Sequence, residues 1–349
     1  MSAESGNPLT TDNRYRTARL IFWGAFAFNT ALTAFWLATF LRGGSSFFSD
    51  NRVGWETIPR VLSGVLFFYV IWGIVWWAIK TALLKYFVGF TREDRRDAFS
   101  SRMNRPYDVI ALTARYSERR IRIADMIGRR GRFLMMAAAG FYYLYVQITR
   151  DPSAGFATAF LQDNLLDGVI TSWIFLSVYY VDGFLGQFFY GPQSRVMDGV
   201  LARANCLLIT ALWTLFKFVM VPIGAQLAFV FPRTEFAVVF ALIWGSYLAA
   251  DGSAEIVGSL VGTQRLRVWG VGDINRKSVA GTVAAFLAAL ILCVAVVTAN
   301  GLGTPWLVLS GILATSNCLV ELYSPRGTDD FTMATANALI CWAFGAWLY

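Results

Sequence analysis

Apolar stretches of about 20 residues, the length a helix needs to cross a bilayer, recur along this chain from Ala18 to Tyr349. No other feature constrains the fold as strongly, because a segment in hydrocarbon must satisfy its backbone hydrogen bonds within itself or within a closed barrel. The sequence predicts an all-α, polytopic transmembrane helical bundle of about nine spans. These are Ala18–Leu41, Val61–Leu84, Phe133–Ile148, Val169–Phe189, Cys206–Val230, Phe236–Ala249, Val279–Thr298, Pro305–Leu322 and Phe331–Tyr349. Composition agrees: 56% of the 349 residues are hydrophobic and 15% are charged, where a soluble domain carries about a quarter. Met1–Thr17 is polar and the run after it is long enough to span, so no cleavable leader is expected.

Loop charge orients the spans. Thr91–Arg132 holds twelve arginines, among them Arg92, Arg119, Arg120 and Arg132. If it faces the cytoplasm, Met1–Thr17, Gly191–Ala204, Asp251–Ser278 and Tyr323–Asp330 share its side. The opposite loops, Arg42–Ile58, Asp151–Asp167, Pro232–Glu235 and Asn300–Thr304, then hold only Arg42, Arg52 and Arg233, as the positive-inside rule asks. Within the arginine-rich segment, Val109, Ile110, Leu112, Ile121, Ile123 and Ile127 recur at loosely helical spacing. That pattern predicts a basic amphipathic helix lying on anionic lipid headgroups; the competing readings are a solvated loop and a helix docked on a partner subunit. The net charge of +8 fits headgroup contact and makes nucleic acid a poor candidate partner.

The chain contains no histidine, which excludes His-based triads, His metal ligands and haem ligation by His. Cys206, Cys293, Cys318 and Cys341 lie in or beside apolar runs without CxxC spacing and read as small buried hydrophobes. Lys217 and Asp182 fall inside spans, where an ion pair or snorkelling is the plain reading and a transport path the sharper one. Chemistry is left to carboxylates, Lys, Arg, Ser, Tyr and Cys.

Two polar stretches on the arginine-rich side carry such groups. In Ala250–Thr282, Asp251 and Glu255 sit four apart and share one face if helical, while Gly252, Gly258 and Gly262 permit close backbone approach. Arg265, Arg267, Arg276 and Lys277 follow through a glycine-rich loop. Carboxylates for a metal and cations for phosphates are what a magnesium–polyphosphate pair needs; a wet inter-helix loop would also carry charge. The second stretch, Glu321–Thr332, clusters Glu321, Arg326, Asp329 and Asp330. Asp329 or Asp330 would cap the last span, which accounts for one aspartate and not for two preceded by a glutamate.

Together the two stretches resemble the CTP-dependent lipid kinase group: phytol kinase, dolichol kinase and the CTP-using diacylglycerol kinase, a group related to phosphatidate cytidylyltransferase. Its GDGxADIVG pattern is similar to Ala250-Asp-Gly-Ser-Ala-Glu-Ile-Val-Gly258, and its KKSxAGS pattern to Arg276-Lys-Ser-Val-Ala-Gly-Thr282. Its later pattern, an acidic residue followed by GxDNLTVP, is similar to Glu321 and Gly327-Thr-Asp-Asp-Phe-Thr-Met-Ala334. The chain departs from the group at Ala250 for glycine, Glu255 for aspartate, Asp330 for asparagine and Ala334 for proline. Of the group's RKxxH, Arg132-Phe-Leu-Met-Met136 keeps the arginine.

The resemblance covers residues 132–349 as a prenol-kinase- or cytidylyltransferase-like membrane core. Residues 1–131, two spans plus the arginine-rich arm, have no counterpart. It implies phosphoryl transfer from CTP, with Mg2+, to a prenol or diacylglycerol hydroxyl. Asp251, Glu255 and Asp329 would hold the metal. Arg265, Arg267, Arg276, Lys277 and Ser278 would bind the nucleotide, and Asp251, Asp329 and Asp330 would serve catalysis, with Asp329 or Asp330 orienting the hydroxyl. The alternatives are an inactive relative acting as a subunit of a membrane complex and a CDP-lipid synthase; as partners the expectation is CTP, membrane lipids and a homodimer or larger assembly.

Overall fold

A computed structural model of the chain describes residues 230–268, 276–324 and 329–349, the shorter stretches 74–76, 78–92, 115–124 and 126–127, and scattered positions from Leu20 to Ala38 as well as Leu227. Four long helices follow one another in the described C-terminal part: α1 (Arg233–Leu260), α2 (Val279–Ala299), α3 (Thr304–Tyr323) and α4 (Asp329–Leu348). A short antiparallel hairpin, β1 (Arg265–Arg267) and β2 (Arg276–Ser278), lies between α1 and α2. Each helix contains a segment long and apolar enough to cross a membrane, and the chain is an integral multi-pass membrane protein. These helices coincide with the last four expected spans. The expected spans Phe133–Ile148 and Val169–Phe189 lie outside the described residues, as do Asp182 and Lys217.

The hairpin and the length of α1 depart from the sequence reading. The expected span Phe236–Ala249 ends where charge begins, at Asp251. Instead α1 runs on without a break to Leu260, carrying Asp251 and Glu255 with it. Nothing in Ala250–Leu260 stops a helix: there is no proline, and Ala, Glu, Ile, Val and Leu offset the cost of the glycines. Charge ends the hydrophobic match to the bilayer, not the hydrogen-bond ladder.

α2 is apolar all round, as a spanning helix is. Its inward stripe, Gly281, Ala285, Ala289, Cys293 and Val297, repeats every fourth residue, whereas Val283, Leu287 and Ile291 are exposed on its outer side. The small stripe lets α1 and α2 pack along most of their length, with van der Waals contact replacing the hydrophobic effect that lipid cannot supply. At the polar end the fit is closest. A Cβ on Gly281 would lie 2.6 Å from the Ala254 carbonyl oxygen, and one on Gly258 would lie 2.7 Å from Ser278 Oγ. Ser253 Oγ donates across this interface to the Ala284 carbonyl at 3.0 Å.

α3 and α4 complete the bundle around Leu242, Leu309 and Leu313, all fully buried. The end remote from the charged stretches is aromatic. Phe231 packs tilted against Trp306 and meets Tyr349 edge-on, and Trp306 packs edge-on against Phe344 at 5.2 Å between ring centres. Aromatic side chains at this level are the usual anchors of a membrane–water boundary. The Tyr349 hydroxyl donates to Glu235 at the start of α1, tying the last described residue to the first turn of the bundle.

The described part of the arginine-rich segment is helical over residues 118–124. Its apolar stripe, Ile121, Ile123, Ala124, Met126 and Ile127, is buried against Leu84, Val88 and Phe90, with Leu260 of α1 packed on the same cluster. The stripe is therefore covered by the chain's own side chains, while Arg115, Arg119 and Arg120 stay exposed.

The tight α1–α2 contact makes a direct test of this packing. Gly281→Leu should destabilise the protein by about 1–3 kcal/mol, the cost of overpacking, seen as a lower apparent Tm in detergent. Gly311→Ala, whose added Cβ meets nothing within 4 Å, should leave it unchanged or raise it slightly, since alanine favours a helix interior.

Candidate functional site

The hairpin brings the cationic stretch back onto the bundle. Its register pairs Arg265 with Ser278, Leu266 with Lys277 and Arg267 with Arg276. Successive strand residues point to opposite faces, so Lys277 and Leu266 share one face and Arg265 and Arg267 take the other. The exposure of Arg265 and Arg267 and the partial burial of Leu266 follow this alternation. Of the cations grouped by sequence, Lys277 is turned into the bundle and Arg265 and Arg267 away from it. The Arg276 backbone continues the strand.

Lys277 reaches two helices at once. Its ammonium donates to Glu321 Oε1 at 3.2 Å and to Asp329 Oδ2 at 3.3 Å, and to the backbone carbonyl of Glu321. The Lys277 side chain is 11% exposed and those of Glu321 and Asp329 are 8% and 12% exposed. Solvent screening is therefore slight, and removing one member would leave charge uncompensated at a cost of about 3–5 kcal/mol. The partners stand 44 and 52 residues from Lys277 in the chain.

Asp251 on α1 joins the same cluster electrostatically: its charge and that of Asp329 both act on the Glu321 carboxyl. The two acidic stretches thus converge on one rim of the bundle. Glu255 lies one turn further along α1 and is partly buried. Asp329 opens α4, where the helix dipole favours a negative charge. The Ser324 and Thr332 hydroxyls hydrogen-bond at 2.5 Å and hold the end of α3 to the first turn of α4. The side chain of Asp330 lies outside the described residues.

Ser278 has a structural task. It is the N-cap of α2, its Oγ accepting from the Gly281 amide at 3.1 Å, a bond that satisfies one of the helix's open amides. The capping hydroxyl sits where side chains on Gly258 and Gly262 would otherwise be. The glycines of one polar stretch therefore make room for the serine of the same stretch.

Glu321 belongs to the second stretch but stands outside the expected metal and nucleotide sets, yet it is the partner on which Lys277 closes. Its second oxygen, Oε2, is buried and meets no hydrogen-bond donor among the described residues. The sequence reading also misses a further group. Ser246, Asn317 and Asn337 are fully buried and join α1, α3 and α4. Asn317 Nδ2 donates to Ser246 Oγ at 3.0 Å. Asn337 Nδ2 lies 3.0 Å from Asn317 Oδ1, 3.2 Å from Ser246 Oγ and 3.3 Å from the Ile243 carbonyl. Asn317 is one turn below Glu321 and Asn337 about two turns below Asp329, so the knot fixes the relative rotation and depth of the helices that carry the rim. Amide side chains in the middle of apolar runs were the available signal.

Among the described residues no group of three or more His, Cys, Asp or Glu is arranged to hold a metal ion. Magnesium on nucleotides, however, is commonly held by one or two carboxylates with phosphates and waters completing the shell. Glu321 and Asp329 supply hard oxygen donors of that kind, and the undonated Glu321 Oε2 is an open one.

The chain is similar to phytol kinase of Synechocystis sp., with 32% identity over 112 residues, 32% of this chain and 44% of that protein. The chain thus spans less than half the length of this curated relative. The sequence resemblance to the phytol kinase group is supported by this match, which does not extend to the cytidylyltransferase. No family model and no solved structure matches the chain.

The buried amide knot yields a prediction. Asn317→Leu and Asn337→Leu should each lower stability by about 1–3 kcal/mol, because partners are left undonated. The double variant should cost less than the sum, since both changes dismantle one network. Equilibrium denaturation in mixed micelles checks this.

Proposed function

We propose that the chain is an integral membrane, CTP-dependent lipid kinase that transfers a phosphoryl group to the hydroxyl of a prenol or of diacylglycerol. The observation that carries this reading is the closure of Lys277 on Glu321 and Asp329, which gathers two polar stretches from distant parts of the chain at one rim. The similarity to a phytol kinase supports the reaction class.

Phosphoryl transfer is chiefly positioning and charge neutralisation and needs no histidine. In this reading Glu321 and Asp329 would hold magnesium, with phosphates and waters completing its shell and the expected ligands Asp251 and Glu255 adding negative charge from α1, and the metal, when bound, would neutralise charge on the triphosphate. Lys277 steadies the phosphates from the inner face of the hairpin. Arg265, Arg267 and Arg276 draw the polyanion in from water, where electrostatic attraction raises its local concentration. Asp329 or Asp330 orients the lipid hydroxyl and takes its proton as the hydroxyl oxygen bonds to the terminal phosphorus and the bond from that phosphorus to the bridging oxygen breaks, releasing CDP. The α2 N-terminus, capped by Ser278, turns its positive end toward the phosphates. The lipid tail enters sideways between helices, and the exposed Arg119 and Arg120 rest on anionic headgroups.

Incubating the purified protein with labelled CTP, magnesium and a panel of phytol, dolichol and diacylglycerol tests the reading. Free CDP and a phosphorylated lipid are expected. Pyrophosphate with a CDP-lipid would instead mark a synthase, and absence of turnover with retention in a large assembly would mark a structural subunit. Asp251→Asn should lower turnover by at least about a hundredfold, the scale of losing a key electrostatic group, with little change in Tm.

A further inference from the structure

We infer that Lys277 is a resident counter-ion that fills a cation site formed by Glu321 and Asp329, and that a divalent cation arriving with a polyphosphate displaces it from that position. The inference deepens the kinase reading, on whose choice of metal and nucleotide it rests, but its central test needs no turnover.

Two observations carry it. The first is geometry. The Lys277 ammonium lies 3.2 Å from a Glu321 carboxylate oxygen and 3.3 Å from an Asp329 carboxylate oxygen, and also contacts the Glu321 carbonyl. Two anionic oxygens and a neutral one around a single positive centre form a donor set that suits a hard cation as well as an ammonium. The second is the buried Glu321 Oε2, which meets no hydrogen-bond donor among the described residues. Glu321 is 6% exposed, and a carboxylate that deep ordinarily has both oxygens satisfied. The ammonium engages one edge of the group and leaves the other open. A metal ion with its waters can serve both.

Location allows the exchange. Lys277 is the middle residue of the short strand β2, between Arg276 and the capping Ser278. Its four-carbon stem can carry the charge away without moving the backbone that Ser278 pins. When the carboxylates pass to a metal, the freed ammonium turns to the phosphates entering with it. The empty rim thus keeps its carboxylates neutralised, and the loaded rim uses the same lysine as a phosphate ligand. A metal without polyphosphate must compete with Lys277 and gain nothing from its departure, so the site favours the metal–polyphosphate complex over either component.

The test measures Mn2+ binding by electron paramagnetic resonance on the full chain in nanodiscs, without nucleotide. Lys277→Met should tighten Mn2+ binding by about tenfold or more, consistent with removal of one competing charge at short range. The same variant should weaken binding of the Mg2+–triphosphate by about tenfold or more, through loss of a phosphate contact. Because the change removes the ammonium from between two buried carboxylates, Lys277→Met is expected to show a lower Tm in metal-free buffer, restored by millimolar Mg2+. Lys277→Arg, which keeps the charge, should show neither the Mn2+ gain nor the metal-dependent rescue. Adding Glu321→Gln to Lys277→Met should abolish the Mn2+ gain while the protein stays folded. Unchanged or weaker Mn2+ binding in Lys277→Met, or a Tm deficit that Mg2+ does not repair, overturns the inference. A Mn2+ gain in a protein that phosphorylates no lipid would sustain it and reject the kinase reading.

Discussion

One ammonium group held between two carboxylates organises the polar end of this protein. Lys277 belongs to a strand, Glu321 to the end of α3 and Asp329 to the start of α4, so the contact is tertiary and depends on every element that places those three. Buried charges are stable only when matched, which makes the hairpin register, the Ser278 cap and the α3–α4 turn mutually dependent. A shift of one residue in the hairpin would turn Lys277 outward and bring an arginine inward, because strand faces alternate.

Below the rim the protein uses a different kind of specificity. The α1–α2 interface is built on small side chains and close backbone approach, and the amide knot of Ser246, Asn317 and Asn337 adds directional bonds where hydrocarbon offers no competing partner. Dispersion alone permits helices to slide or rotate at little cost; directional hydrogen bonds of about 0.6–2 kcal/mol each do not. The knot lies between the aromatic end and the charged end, so it sets the register of both.

The last four spans were legible because hydrophobic length is a coarse, robust signal. α2, α3 and α4 begin and end within a few residues of where Val279–Thr298, Pro305–Leu322 and Phe331–Tyr349 place them. The expected span falls short of α1 because charge marks the edge of the apolar match and says nothing of where the helix ends. Counting loop cations put the two polar stretches on one side of the membrane, a rule that reports sidedness but not distance, so their meeting through Lys277 was not written in it. The hairpin was hidden: its strands are three residues each, too short for an alternating pattern to stand out among glycines. For the same reason the split between inward Lys277 and outward Arg265 and Arg267 was invisible, since it depends on pairing register. Glu321 was visible as a charge at a span's end, but its pairing with Lys277 was a tertiary fact.

α1 has 28 residues, or about 42 Å at the rise of an α-helix, against a hydrocarbon layer of about 30 Å. Its final turns, bearing Asp251, Glu255 and Leu260, stay packed along the start of α2 through Ser253 and Gly258, and the apolar stripe of the arginine-rich segment meets Leu260. Helices accommodate thicker or thinner membranes by tilting, and α1 can tilt only together with the helix packed along it. Asp251 on α1 and Lys277 beside the α2 cap are therefore joined through one interface, so a tilt that moves the first carries the second with it.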